Sequence, residues 1–383
     1  MDFRLLPDLA VRTLGGSVVY ANDETFAERE NLLRPGPARF DASSFGHKGK
    51  VYDGWETRRR REPGHDIAIV RLGVPGIVRG VVVDTAWFKG NYPPQASVEA
   101  TFVPGYPSVP ELLEAAVWET IVPRGDLKGD AENEFEVTSS RCWTHVRLSI
   151  HPDGGVARLR VHGEALPDPR LLDVGGLDLA ALENGGTVLD CSNRFYSSPE
   201  ALISPGQARS MGEGWETARR RDAGNDWVLL QLAGAGTVRL AELDTSYFVG
   251  NAPGEAHLTG CLADGPWVEL LPRTRLQPDT RHRFLLSGSP RVTQVRLDIY
   301  PDGGMARLRL IGSLAPQGRV AAGLRWFNAL PDDAALGVLV RDAGMPPAEA
   351  EALVAARPLS TDDLNGLVDL PGAVRSLLAG GAA

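Results

Sequence analysis

IHPDGGVARLRVHG, residues Ile150 to Gly163, sets the fold class of this chain. Ahead of the Pro-Asp-Gly-Gly, Val146, Leu148 and Ile150 alternate with Arg147, Ser149 and His151. Behind it, Ala157, Leu159 and Val161 alternate with Arg158, Arg160 and His162. Period two on both sides of a turn sequence predicts two half-buried strands joined as a hairpin. The stretch returns as IYPDGGMARLRLIG at Ile299–Gly312, shifted by 149, with ten of 14 positions identical.

Two further matches lie upstream in the same order. GWETRRRREPGHD at Gly54–Asp66 returns as GWETARRRDAGND at Gly214–Asp226, and DTAWFKGN at Asp84–Asn91 returns as DTSYFVGN at Asp244–Asn251, both shifted by 160. The fall in shift from 160 to 149 puts 11 extra residues between Asn91 and Ile150. Gly15-Gly16 and Pro35 match Gly185-Gly186 and Pro205 at a shift of 170, which places a second insertion at roughly Phe40–Lys50, with His47 and Lys48 in it. A period this long marks a duplicated domain rather than a solenoid unit of roughly 20 to 50 residues. The expected organisation is repeat 1 over 15–165, a linker over 166–184, repeat 2 over 185–314 and a helical appendage over 324–383, where Ala- and Leu-rich segments are broken by Gly and Pro. Apolar runs at Ile67–Leu72 and Ile77–Val83 predict two core strands with a Pro-Gly turn between them. The class is therefore all-β: two tandem jelly-roll β-sandwich domains plus a short α-helical C-terminal tail.

Composition agrees with this picture. A chain of 383 residues exceeds one ordinary core. Its 43 Gly and 28 Pro fit many turns between short strands. A net charge of -9 opposes nucleic-acid binding. Cys142, Cys191 and Cys261 are odd in number and lack metal spacing. With no apolar leader and no stretch of roughly 18 apolar residues, the expectation is a cytoplasmic protein without membrane contact.

The chemistry-bearing residues sit in the repeated motifs. GWET-x-RRR gathers Glu56, Arg59, Arg60 and Arg61 within a few positions, and Glu216, Arg219, Arg220 and Arg221 answer them in repeat 2. Read structurally, this is an Arg-rich loop after an anchoring Trp. Read functionally, the guanidinium groups clamp a carboxylate while Glu56 and Asp66 hold them in place. His65 exists only in repeat 1, its counterpart being Asn225, while Asp226 matches Asp66. A His able to move protons near neutral pH is therefore available in one repeat only. Asp84, Thr85 and Asn91, with Asp244, Thr245 and Asn251, either close strand ends or hydrogen-bond an NH-rich, carbonyl-bearing ligand such as a ureido group. Pro-Asp-Gly-Gly reads as a turn and nothing more.

These motifs, each doubled, resemble those of the allantoicase family, and ENLLRPGPARF at Glu30–Phe40 matches the stretch such proteins carry upstream. The resemblance covers about residues 10–315. It implies galactose-binding-like jelly rolls, a homo-oligomer, and hydrolysis of allantoate to ureidoglycolate and urea in purine breakdown. The tail around WFNALPDDAALGVLVRDAG resembles the opening helices of ureidoimidazoline (OHCU) decarboxylases, with most of that domain absent.

On this basis His65, Glu56 and Asp66 are the expected catalytic residues, and Arg59, Arg60, Arg61, Asp84, Thr85 and Asn91 the substrate-binding ones, with the working site in repeat 1. The cofactor is left open: a divalent metal is an alternative way to activate water, but no ligand spacing is recognised. The rival reading is a non-catalytic module that binds sugars or other small ligands, and a third is a purely structural oligomer subunit.

Overall fold

The computed structural model describes residues 2–46, 49–263, 265–366 and 371–380, so His47 and Lys48 lie outside the described residues. The chain divides into two compact units, Met1–Leu166 with Ala329–Ala334, and Pro167–Asn328 with Ala335–Ala383.

Repeat 1 comprises β1 (Ser17–Ala21), β2 (Phe45–Gly46), β3 (Gly49–Lys50), β4 (Trp55–Glu56), β5 (Asp66–Asp84), β6 (Gln95–Thr101), β7 (Glu119–Asp126), β8 (Glu132–Glu136), β9 (Cys142–His151), β10 (Gly155–Val156) and β11 (Arg158–Ala165). β5 organises the rest. Its first half lies between β1 and β9, with Asp66 opposite Ile150 and Val70 opposite Val146. Its second half lies between β8 and β11, with Asp84 opposite Arg158 and Val82 opposite Arg160. β6 and β7 extend the sheet beyond β9. One strand thus serves both layers of a sandwich by bending between them. Val70, Val98, Val146 and Leu148 from one layer and Val81, Val83, Leu159 and Val161 from the other are all fully buried.

Two local expectations change. Ile67–Leu72 and Ile77–Val83 are halves of a single 19-residue strand, with the register shifting between Arg71 and Gly76. Pro75 sits in that irregular stretch, where a residue without an N–H is tolerated. Nor is Pro-Asp-Gly-Gly a hairpin turn. β9 and β11 pair with opposite halves of β5, and the turn carries the chain from one layer to the other, laying β10 beside β4 on the way. Alternation reports that a strand has two unlike faces; it does not say which strand lies beside it.

Repeat 2 follows the same plan with β12 (Leu177–Asp178), β13 (Thr187–Cys191), β14 (Trp215–Glu216), β15 (Asp226–Asp244), β16 (Glu255–Cys261), β17 (Val268–Arg275), β18 (Arg281–Leu285), β19 (Arg291–Tyr300), β20 (Gly304–Met305) and β21 (Arg307–Leu314). β15 repeats the bend of β5, and β20 lies beside β14. Each repeat begins before its internal match is obvious. Asp8 bridges to His162 in the first, and β12 pairs with β21 inside the stretch expected as a linker. Only Asp-Leu-Ala is shared there, at Asp8–Ala10 and Asp178–Ala180, too short a string to detect unaided.

Helices follow β21: α1 (Pro316–Ala329), α2 (Asp332–Gly337), α3 (Pro347–Ala355), α4 (Thr361–Gly366) and α5 (Gly372–Ala379). In the second unit Arg319 of α1 ties the helices down, bonding Asp173 at 2.7 Å and the carbonyls of Leu377 and Leu378 in α5. Cys142 and Cys261 are buried and Cys191 is half-buried.

Candidate active site

The site begins at Trp55, which is fully buried and donates from Nε1 to the Asp23 carbonyl at 2.7 Å. That anchor fixes the neighbouring Glu56. The chain then leaves β4 along a row of tethers to the Pro-Asp-Gly-Gly segment. The Thr57 amide donates to the Gly154 carbonyl at 3.1 Å, the Gly154 amide donates back to Thr57 Oγ1 at 3.1 Å, and the Arg60 amide donates to Asp153 Oδ2 at 2.8 Å. Each satisfies a backbone or hydroxyl group that would otherwise be costly to bury.

The third motif arrives from the end of β5. Asp84 Oδ1 accepts the Ala86 amide at 2.8 Å, while Thr85 Oγ1 donates to the Lys128 carbonyl at 2.6 Å and accepts the Ala131 amide. These bonds shape the loop that delivers Asn91, whose carbonyl accepts the Gly155 amide at 2.8 Å and whose Nδ2 donates to Glu56 Oε1 at 2.6 Å. The two glycines are demanded by close approach. A Cβ at Gly154 would lie 2.6 Å from the Pro93 nitrogen, and one at Gly155 would lie 2.0 Å from the Phe88 ring.

Between the motifs lies a pocket of about 460 Å³. Glu56, Thr57, Arg59, Arg60, Gly90, Asn91, Pro152, Asp153 and Gly154 supply its polar and backbone lining, and Phe26, Tyr92 and Pro94 its apolar walls. Burial pushes the Glu56 carboxyl above its ordinary range, opposed by the hydrogen bond from Asn91. Arg59 is exposed and has no hydrogen-bond or ion-pair partner among the described residues, leaving its guanidinium available to a ligand.

The expected site residues therefore separate. Glu56, Arg59, Arg60 and Asn91 meet in the pocket. Asp66 stands behind it, 1% exposed, binding Arg60 at 2.6 Å and Asn22 at 2.9 Å. Asp84 and Thr85 are engaged with backbone, and burial raises the Asp84 carboxyl; they shape the loop and are not part of the lining. Arg61 is exposed, outside the lining. His65 is also outside it, exposed, with its ring centroid 4.7 Å from that of His151. His151 approaches Ser97 Oγ at 3.1 Å, and burial, helped by Arg124 and His65, brings its pKa down to about 4. Asp153 and Gly154 were passed over by sequence reasoning because Pro-Asp-Gly-Gly has a sufficient explanation as a turn. The available signal was the Asp of that motif, identical at Asp153 and Asp302 although turn geometry asks only for the glycines.

Repeat 2 reproduces the frame. Asn251 Nδ2 donates to Glu216 Oε1 at 2.6 Å, Thr217 and Gly303 exchange bonds, the Arg220 amide donates to Asp302 Oδ2 at 2.9 Å, and Arg220 pairs with the fully buried Asp226 at 2.9 Å. Asp244 and Thr245 hold their loop as their counterparts do. Arg219 and Arg221 are exposed. The Asn–Glu pair is present in both repeats, whereas the counterpart of His65 is Asn225. Asn225 bonds Asp298 at 2.8 Å, well removed in role from the Glu216 pair. Among the described residues no group of three or more His, Cys, Asp and Glu is placed to hold a metal ion, and no helix is long and apolar enough to cross a membrane.

The allantoicase repeat family model matches residues 7–166 and 177–315. A probable allantoicase of Nocardia farcinica is 62% identical over 314 residues, covering 82% of this chain and 95% of that protein. One from Streptomyces avermitilis is 54% identical, covering 82% and 88%. Among solved structures, allantoicase from Saccharomyces cerevisiae superposes with a TM-score of 0.70 at 34% identity, covering 80% of this chain and 92% of that one.

Proposed function

The chain belongs to the allantoicase family and hydrolyses allantoate to ureidoglycolate and urea, and we propose that it does so in the repeat 1 pocket with Glu56 as the proton-transfer group. The observation that carries this reading is the Glu56–Asn91 pair lying in one pocket with the unpartnered Arg59.

Allantoate holds a carboxylate and two ureido groups on one carbon. Arg59 takes the carboxylate through paired N–H donors. Arg60 is held by Asp66 and Asp153 and lends positive potential beside it. Asn91 donates to Glu56 through Nδ2, which leaves its side-chain oxygen Oδ1 for a ureido N–H. A carboxyl whose pKa is raised by burial is the better suited to general acid chemistry. Glu56 gives its proton to the departing ureido nitrogen as the central C–N bond breaks, and the other ureido nitrogen's lone pair stabilises the carbon left behind. Glu56, now a carboxylate, accepts a proton from the water that adds to that carbon. Urea and ureidoglycolate leave with Glu56 again protonated, so atoms and charge balance.

In this reading Asp66 positions Arg60, Asp84 and Thr85 position the Asn91 loop, and His65 takes no part in the chemistry. Urea release by Glu56→Gln against wild type tests it; unimpaired release in that variant overturns it. The reading carries with it a cytoplasmic homo-oligomer acting on a small molecule and not on nucleic acid. The charge of -9 supports the last point, and sedimentation of the purified chain tests the assembly.

A further inference from the structure

We propose that repeat 2 holds a second ligand site, built on Glu216, Asn251, Arg219 and Arg220, for the same chemical class as the first: a small carboxylate bearing a ureido group. The proposal rests on the reading of the repeat 1 pocket given above.

What persists and what has changed between the repeats point the same way. The groups that face the ligand in repeat 1 are retained in identity and geometry. The Asn–Glu bond is 2.6 Å in both repeats, and the Asp–Arg amide tether is 2.8 Å in one and 2.9 Å in the other. The supporting groups behind them have been exchanged. Asp66 is held by Asn22 Nδ2 at 2.9 Å, whereas Asp226 is held by Ser192 Oγ at 2.9 Å. Asp53 bonds the buried Arg158 directly through its carboxylate, whereas Glu213 turns its carboxylate to Arg209 and offers Arg307 only its carbonyl. Different scaffolding thus holds one constellation in place.

That constellation is costly to keep for packing alone. Asp226 is fully buried and its Oδ2 has no hydrogen-bond partner among the described residues. A buried carboxylate with an unpaired oxygen is a poor substitute for an apolar side chain of similar volume, even with Arg220 beside it. Arg219, exposed and without a partner among the described residues, matches Arg59.

The two sites differ in their cover. Met211 Sδ lies 3.4 Å from Asn251 Nδ2, on an exposed turn, so a ligand must displace a flexible thioether that repeat 1 lacks. Tyr196 replaces Phe26, and Ala252 replaces Tyr92. The second site is therefore the weaker of the two.

Calorimetric titration of the full chain with N-carbamoylglycine tests this. That probe carries a carboxylate and a ureido group on one carbon but no second group to expel. The expected result is two probe molecules bound per wild-type chain. Combined Glu216→Gln and Arg219→Ala substitution should leave one, as should combined Glu56→Gln and Arg59→Ala. Met211→Ala should tighten the weaker site by about 3- to 10-fold, a gain that a damaged fold cannot imitate. One molecule per wild-type chain, unchanged by the repeat 2 substitutions and by Met211→Ala, overturns the second site and leaves the first standing. Urea release that survives Glu56→Gln overturns the reading of repeat 1 instead.

Discussion

Asn91 donates to Glu56 across 2.6 Å, and the bond joins two motifs separated by 35 positions in the sequence. It points one carboxylate oxygen at Asn91, so the proton transfer proposed for Glu56 falls to the other. The bond also opposes the upward push that burial gives the Glu56 pKa.

Replacing Glu56 by Gln keeps an acceptor for Asn91 but removes the transferable proton, so turnover should fall on the order of 10² to 10⁴. His65→Asn, the substitution that repeat 2 already carries, should change turnover little because His65 lies outside the pocket lining. Initial rates of urea release for the two variants compare these roles directly. A comparable loss in His65→Asn would restore it as the proton-transfer group.

The pH profile provides a second check. As an acid Glu56 must start protonated, so turnover should decline as pH rises through its raised pKa. Asn91→Ala removes the interaction that lowers that pKa, and the alkaline limb should therefore move to higher pH even as the overall rate drops. A limb that moves to lower pH contradicts the assignment.

Arg59→Ala should raise KM more than it lowers kcat, since a carboxylate that does not react is gripped equally before and during bond breaking. A charge-assisted hydrogen bond of about 1.5–3 kcal/mol corresponds to a loss of roughly 10- to 150-fold in kcat/KM. Steady-state kinetics separate this from a catalytic role, in which kcat would take the loss.

Acid should weaken repeat 1. His145 and His151 fall from an ordinary 6.5 to about 4 in the folded chain, chiefly through burial. Between those values the unfolded chain binds more protons than the folded one, so stability is complete above the upper value and is lost as pH falls toward the lower. His145→Gln should flatten this dependence. Urea unfolding midpoints measured at both ends of that window would detect it, and an unchanged slope in the variant would remove His145 from the account.

Gly155→Ala should disturb fold and site together. Its Cβ would overlap the Phe88 ring, and overpacking of this kind costs about 1–3 kcal/mol. The displaced Asn91 loop should then lower activity in the fraction that remains folded. A thermal melt paired with an activity assay reads both effects.

The sequence alone was enough for the duplication, the all-β class and the family, because each is written in order and periodicity along the chain. Nine identities in GWETRRRREPGHD need no three-dimensional information to be recognised, and alternation from Val146 to Ile150 already distinguishes an inner from an outer face. It also brought Glu56, Arg59, Arg60 and Asn91 into view as candidates. It could not rank them. His65 looked strongest from its chemistry, and Pro-Asp-Gly-Gly looked sufficiently explained as a turn. Only the tertiary structure shows that β5 bends through both layers, so that β9 and β11 lie on its opposite halves and the turn between them crosses the end of the sandwich beside Thr57. That crossing brings Asp153 to Arg60 and Asn91 to Glu56. The physical reason is that periodicity records how each residue faces water, whereas the neighbour across a sheet or a pocket is set by packing among segments far apart in the chain.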